Sequence, residues 1–457
     1  MNLLCIESDF NIVYRATSDG NQFINLINNL YIEVEISFGS NEQKFKSELD
    51  LSSYWVLVPG VEFNKSDVKG FDRSSSTSFT EIGRIESFTL EKIYKAIIGQ
   101  DTIKIGESES INNIQFLVVT EYTFSIFNSY SYIGLDFDTI TSNFKNLNLL
   151  GQLKNNSIIE KQLWYLDFTD YNKGKFVIGK FPHEVKNETY KEKDRYTSNF
   201  VRTNYYPYRI EFSEIYYGNL NKYNEREVMK DHNEAIITIN TRLIYSTNEY
   251  AELIHNKFFG KKLDDKICFR EKLNQNSQYY FHYCYKDKVD INEMDNINFY
   301  IRDTNMTFVL TPKDLFYEHD EYLYFLVVNK ELRDYDTDKD TEWRLGLQFL
   351  QKYTLTFDRN DKLFHYYKVS SENKEDNNDN DSQEKNEGEK KRKNGKNDNN
   401  KYIIIIILLV VVFVVCVSFL VFYILKIKPR KVKVNELDEA YEYETKDKDK
   451  GKDYLIN

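Results

Sequence analysis

Two stretches of this chain are built alike, and their repetition is what most limits the folds open to it. Residues 46–59 read KSELDLSSYWVLVP and residues 235–243 read AIITINTRL. Each has the outline of a strand that stops in a short turn: Asp50-Leu51-Ser52-Ser53 in the first, Thr238-Ile239-Asn240-Thr241 in the second. A second pair of signals follows in the same order. Tyr132-Ile133-Gly134-Leu135-Asp136-Phe137 begins 83 positions after Leu49, and Arg344-Leu345-Gly346-Leu347-Gln348-Phe349 begins 107 positions after Ile237. Both read x-apolar-Gly-Leu-x-Phe. A lone Gly-Leu pair would be chance. Two in register with two strand-turns imply two half-domains with the same order of parts around a cleft.

The chain between these signals predicts a mostly β domain over residues 30–368. Short strand-like segments fall at 30–38, 55–58, 96–105, 114–119, 175–178, 208–212, 235–238, 297–302 and 352–357, punctuated by Gly, Asn and Asp. Two helices are expected. One covers 144–153; the other covers 248–259, after the capping residues Ser246 and Thr247 and before a stop at Gly260. The length of 457 residues leaves room for a two-lobed domain and appendages. A net charge of −11 argues against a nucleic-acid partner, which calls for a basic face. The six histidines are scattered without ligand spacing, so no metal site is expected. No GxGxxG or P-loop occurs, and no cofactor is implied.

Beyond the domain the composition changes abruptly. Residues 370–400 contain no apolar side chain and cannot bury a core, which predicts a disordered stalk. Residues 403–425, from Ile403 to Leu425, carry no charge and are long enough to cross a bilayer as a helix. The expected division is an N-terminal segment (1–29), lobe one (30–200), lobe two (201–368), stalk (369–401), transmembrane helix (402–426) and charged tail (427–457), with a helical stretch near 436–443. Lysines and arginines flank the span on both sides and do not orient it. Cys416 lies inside the span and Cys5 precedes the expected domain. Cys268 and Cys284 form the one pair within it. Oxidised, they would close a loop worth about 3 kcal/mol, with Cα atoms about 4.4–6.8 Å apart; in a cytosolic domain they would be reduced thiols.

Taken together, residues 30–368 resemble the pepsin-like aspartic peptidases, a family that includes the plasmepsins. Tyr31 to Gly39 with Gln43-Lys44-Phe45 is similar to the family's opening strand, turn and return strand. The run from Phe71 to Phe79 resembles its FDPSKSSTY turn, and Gly99-Gln100-Asp101-Thr102-Ile103 its G-x-D-T-V after the flap. Gly174 to Gly179 is similar to the strand closing lobe one, and Trp343 to Asp358 to the terminal W-x-L-G…F-D pattern. In that family each strand-turn reads Asp-Thr-Gly-Ser/Thr, and the two aspartates share one proton over a catalytic water. The resemblance makes Asp50 the first acid and puts Thr238 in the place of the second. A threonine hydroxyl does not titrate near neutral pH and takes neither role.

The neighbours depart from the pattern too. Leu51 and Ile239 stand where the family has cross-lobe threonines, Ser52 and Asn240 where it has glycines, and Phe88 or Thr89 where its flap has tyrosine. Ser53 and Thr241 complete the two turns. A lone aspartate at a strand end such as Asp50 can simply accept turn hydrogen bonds. A catalytic Asp50 would need a substitute partner, and Asp231 and Glu234 lie seven and four residues before Thr238. Three functions are open: a non-catalytic homologue that binds a peptide or protein in its cleft, an atypical active aspartic endopeptidase, or a surface scaffold or adhesion protein. The family resemblance implies a luminal or extracellular domain. The first twenty residues hold no apolar signal-peptide core. Either a leader is missing, which the secretory character of the family favours, or the span is itself the insertion signal and the domain stays cytoplasmic.

Overall fold

The computed structural model describes residues 4–15, 22–62, 69–85, 94–122, 131–136, 147–200, 208–218, 227–229, 233–274, 277–330 and 342–367, all within one compact unit, residues 1–374. It is mostly β. Among the described residues a 13-stranded sheet, a 9-stranded sheet and a 4-stranded sheet account for the strands.

The large sheet begins with six strands drawn from distant parts of the chain, in the order Arg195–Asn199, Leu363–Tyr367, Thr356–Asp358, Leu163–Phe168, Lys173–Ile178 and Ile6–Tyr14. It therefore joins the beginning, middle and end of the described chain. Its buried face is aromatic: Trp164 stacks on Phe357 with centroids 4.3 Å apart, and Tyr208 meets both rings edge-on. The sheet then continues through Leu30–Phe38 and Gln43–Asp50 into lobe one, where Leu30–Phe38 also pairs with Tyr94–Ile105.

The N-terminal residues are thus not an appendage before the domain. Ile6–Tyr14 pairs with Lys173–Ile178 on one side and Leu30–Phe38 on the other. Its burial alternates, with Ile6, Ser8, Phe10 and Ile12 inside and Glu7, Asp9 and Asn11 exposed. The helix Gln22–Asn28 sets Ile24 and Ile27 into a cluster with Leu243, Phe281 and Leu326 of lobe two.

Several expected elements shift. The helix expected at 144–153 is Leu149–Asn155, because Asn148 caps it by accepting from the Gly151 N–H at 3.0 Å. The second expected helix does not stop at Gly260. Asn248–Ile254 passes through a π-turn, His255–Phe259, into Gly260–Asp264. Burial of Phe258 and Phe259 outweighs the cost of a helical glycine, about 1 kcal/mol. The segment expected as a strand at 352–357 divides into the helix Leu347–Lys352 and the strand Thr356–Asp358. Among the described residues no helix is long and apolar enough to cross a membrane. Residues 403–425, the stalk and the tail lie outside the described residues.

In lobe two, Cys268 and Cys284 are joined by a disulfide. Their Cα atoms are 4.0 Å apart, closer than the expected window. They sit directly opposite each other in the antiparallel pair of Cys268–Lys272 and Tyr279–Tyr285, next to the Tyr285-to-Ile267 hydrogen bond. That is a non-hydrogen-bonded position, where antiparallel strands approach most closely.

His282, on the same strand, stacks on Phe259 with centroids 4.3 Å apart. Burial, reinforced by Arg270 and His255, pushes its pKa down from 6.5 to about 3. The unfolded chain binds this proton more readily than the fold does. Stability from a neutral His282 is therefore complete above about pH 6.5 and is lost as pH falls toward about 3, by at most about 1.4 kcal/mol per pH unit. Urea unfolding between pH 7 and pH 4 should show this slope, and His282→Phe should flatten it. An unchanged slope in that variant would place the acid sensitivity elsewhere.

Candidate functional site

Each strand-turn is held by the same four-strand arrangement. In lobe one, Gln43–Asp50 runs parallel to Tyr132–Gly134. That strand is antiparallel to Val56–Pro59, which is in turn parallel to Ile111–Tyr122. In lobe two, Glu234–Ile237 runs parallel to Trp343–Leu345. That strand is antiparallel to Ile244–Ser246, which is in turn parallel to Val327–Lys330. The second strand of each set carries the opening residues of a duplicated hexapeptide, Tyr132-Ile133-Gly134 in one and Arg344-Leu345 in the other.

Their glycines are fixed by one steric fact met twice. A Cβ on Gly134 would lie 2.5 Å from the Ser53 carbonyl oxygen and 2.6 Å from that of Trp55. A Cβ on Gly346 would lie 2.6 Å from the Thr241 oxygen and 2.3 Å from that of Leu243. Counted from Asp50 and Thr238, these carbonyls belong to the third and fifth following residues in both lobes. The two halves are built on one plan.

Asp50 and Thr238 line the same cleft, a cavity of about 420 Å³, within the range of about 300–1,000 Å³ usual for ligand sites. Leu51, Ser52, Ile239, Asn240 and Thr241 line it as well. The two turns are chemically opposite. Asp50 Oδ1 accepts from the Ser52 N–H at 2.9 Å and from the Ser52 hydroxyl at 2.7 Å. Thr238 Oγ1 instead donates to Asn240 Oδ1. Where the family resemblance implies two hydroxyls crossing between lobes, Ile239 is buried in the main core and the half-buried Leu51 rests against that core. Ser53 is buried and does not line the cavity. The flap strands Thr80–Ile85 and Tyr94–Ile105 pair with each other. Phe88 and Thr89 lie outside the described residues, as does Asp231.

Glu234 is not brought toward Asp50. It begins its strand and pairs with Arg209, which also holds Glu342. The cleft does gain residues the sequence reading passed over: Asn28, Glu48, Asp136, Tyr208, Tyr245 and Arg344. Asn28 comes from the N-terminal helix. Its Oδ1 accepts from Thr241 Oγ1 at 3.0 Å and from the Tyr245 hydroxyl at 2.5 Å, tying the N-terminal segment to the second turn. Glu48 pairs with Arg15. The fully buried Tyr208 donates across to the Leu135 carbonyl of lobe one.

Next to the second turn, Arg242 is fully buried. It lies 3.5 Å from the Tyr171 ring centroid and donates to the Tyr171 carbonyl, Asn172 Oδ1, Gln351 Oε1 and the Tyr14 hydroxyl. One side chain thus fixes three separate parts of the chain beside the site. Among the described residues no cluster of three or more His, Cys, Asp or Glu is arranged to hold a metal.

The duplicated strand arrangement around one cleft is that of a pepsin-like acid protease fold. A family model described as eukaryotic aspartyl protease matches residues 31–366, well over half of the chain, and the chain belongs to that family. No curated protein matches it.

Proposed function

We propose that this protein is a membrane-anchored, non-catalytic aspartic-peptidase homologue that binds an extended peptide or a protein segment in its cleft. The observation that carries the reading is the pair Asp50 and Thr238 at equivalent strand ends of one cavity. The acid mechanism requires two carboxylates with opposed protonation, and the second place holds a hydroxyl already committed to Asn240. The cleft walls come from the strand scaffold and not from the acids, so a peptide can still lie along them by main-chain hydrogen bonding.

The experiment is a binding and turnover measurement on one peptide library, with a pepstatin-type inhibitor as competitor. Peptides bound and recovered intact support the binding reading. Tight inhibitor binding with cleavage would favour an atypical endopeptidase, and no binding of either would favour a surface scaffold.

The anchor of this reading is the uncharged stretch 403–425, with the large domain luminal or extracellular and residues 434–457 cytoplasmic. The disulfide between Cys268 and Cys284 supports an oxidising compartment. In sealed secretory vesicles the large domain is expected to resist added protease while the tail is digested; a protected tail with a digested domain would reverse the topology.

A further inference from the structure

We infer that Arg344 is a recognition point for an acidic side chain of the bound peptide, and that the cleft selects peptides carrying Glu or Asp against its lobe-two wall. This rests on the peptide-binding reading above. Arg344 occupies the middle of Trp343–Leu345, between Ile236 on the parallel neighbour and Tyr245 on the antiparallel one, and all three line the cleft. Its guanidinium lies 5.7 Å from the Tyr245 ring centroid. The Tyr245 hydroxyl is fixed on Asn28, so the aromatic surface beside the guanidinium is held in place.

No ion pair joins Arg344 to any described carboxylate, whereas Arg15, Arg73, Arg84, Arg209 and Arg302 each hold a glutamate. The cleft is also polarised. Among the described residues its carboxylates, Glu48, Asp50 and Asp136, belong to lobe one, and Glu48 is already paired with Arg15. The cation belongs to lobe two. An extended peptide turns successive side chains to opposite sides, so it can offer an acid to Arg344 while its neighbours face Asp50. A planar guanidinium beside an aromatic ring matches a carboxylate in a two-pronged geometry.

The test uses the full-length chain in mild detergent and an immobilised array of ten-residue peptides in matched triplets, with Glu, Gln or Lys at each position in turn. At one position the Glu member should bind about tenfold more tightly than the Gln member, as expected for one charge-assisted contact, and the Lys member most weakly. Added salt should shrink the ratio. Arg344→Gln should bring it to about one, and Arg344→Lys should retain part of it. Equal binding of Glu and Gln members by the unaltered chain would overturn the inference and leave cleft binding intact. A ratio that persists in Arg344→Gln would assign it to another residue and also overturn the inference. If no triplet binds at all, the peptide-binding reading falls and this one with it. The unaltered chain's ratio and its salt dependence decide the matter even where a variant fails to fold.

Discussion

Purified full-length protein is expected to release no product from a diverse peptide library at acid pH, and Thr238→Asp is expected not to restore turnover. Loss of an essential member of a catalytic unit costs on the order of 10⁴–10⁶ in kcat, because the remaining groups do not compensate. One substitution is expected not to be enough. Thr238 donates to Asn240 Oδ1; an aspartate there would face an acceptor until the Asn240 amide turned over. Ser52, in the place of a glycine, occupies Asp50 Oδ1 with both its N–H and its hydroxyl. Leu51 and Ile239 contribute apolar surface where the resemblance implies cross-lobe hydroxyls. The assay compares wild type, Asp50→Asn and Thr238→Asp. Wild-type turnover that vanishes in Asp50→Asn would overturn the non-catalytic reading and require a surrogate acid. Glu234 is held by Arg209, which leaves Asp136, on the same cleft, as the first residue to substitute next.

Gly346→Ala and Gly134→Ala should each destabilise the fold by about 3 kcal/mol or more, at the upper end of the cost of forced overpacking. The added Cβ would stand 2.3–2.6 Å from two carbonyl oxygens. Those oxygens are backbone: Ser53 O accepts from the Asp136 N–H, Trp55 O from the Gly134 N–H and Thr241 O from the Leu347 N–H, and none can rotate aside as a side-chain end can. Gly83→Ala is the control, since a Cβ there meets only Ile98 Cδ1 at 3.7 Å. Urea unfolding of the three variants checks this. A loss at Gly83 equal to that at Gly346 would mean that glycine backbone freedom, not the close approach, sets the cost. Loss at both paired glycines would also give the two-lobe plan an energetic counterpart.

Much of the architecture was legible in local pattern. The paired hexapeptides marked the two shared strands because only glycine fits where they cross the turns. The strand Leu30–Phe38 was expected at those limits and found there. The first strand falls outside the expected domain although its signal is present: Ile6, Ser8, Phe10 and Ile12 alternate inward over seven residues. A domain start at residue 30, which the family resemblance implies, leaves this alternation outside the domain. Gly260 reads locally as a helix stop, but the burial of Phe258 and Phe259 carries the helix past it.

Residue type alone sets the chemistry available at the two strand ends: a carboxylate at Asp50, a hydroxyl at Thr238, and no cross-lobe hydroxyl at Leu51 or Ile239. Those are matters of residue type, and no folding changes them. Which other residues share the cleft with them follows from packing between distant strands. Parallel pairing sets Arg344 beside Ile236, and antiparallel pairing sets it beside Tyr245. The N-terminal helix brings Asn28 more than two hundred positions along the chain to Thr241. Arg209 removes Glu234 from contention by pairing with it. Such placements depend on register between distant strands, and register is fixed by burying whole faces together rather than by any short run of residues.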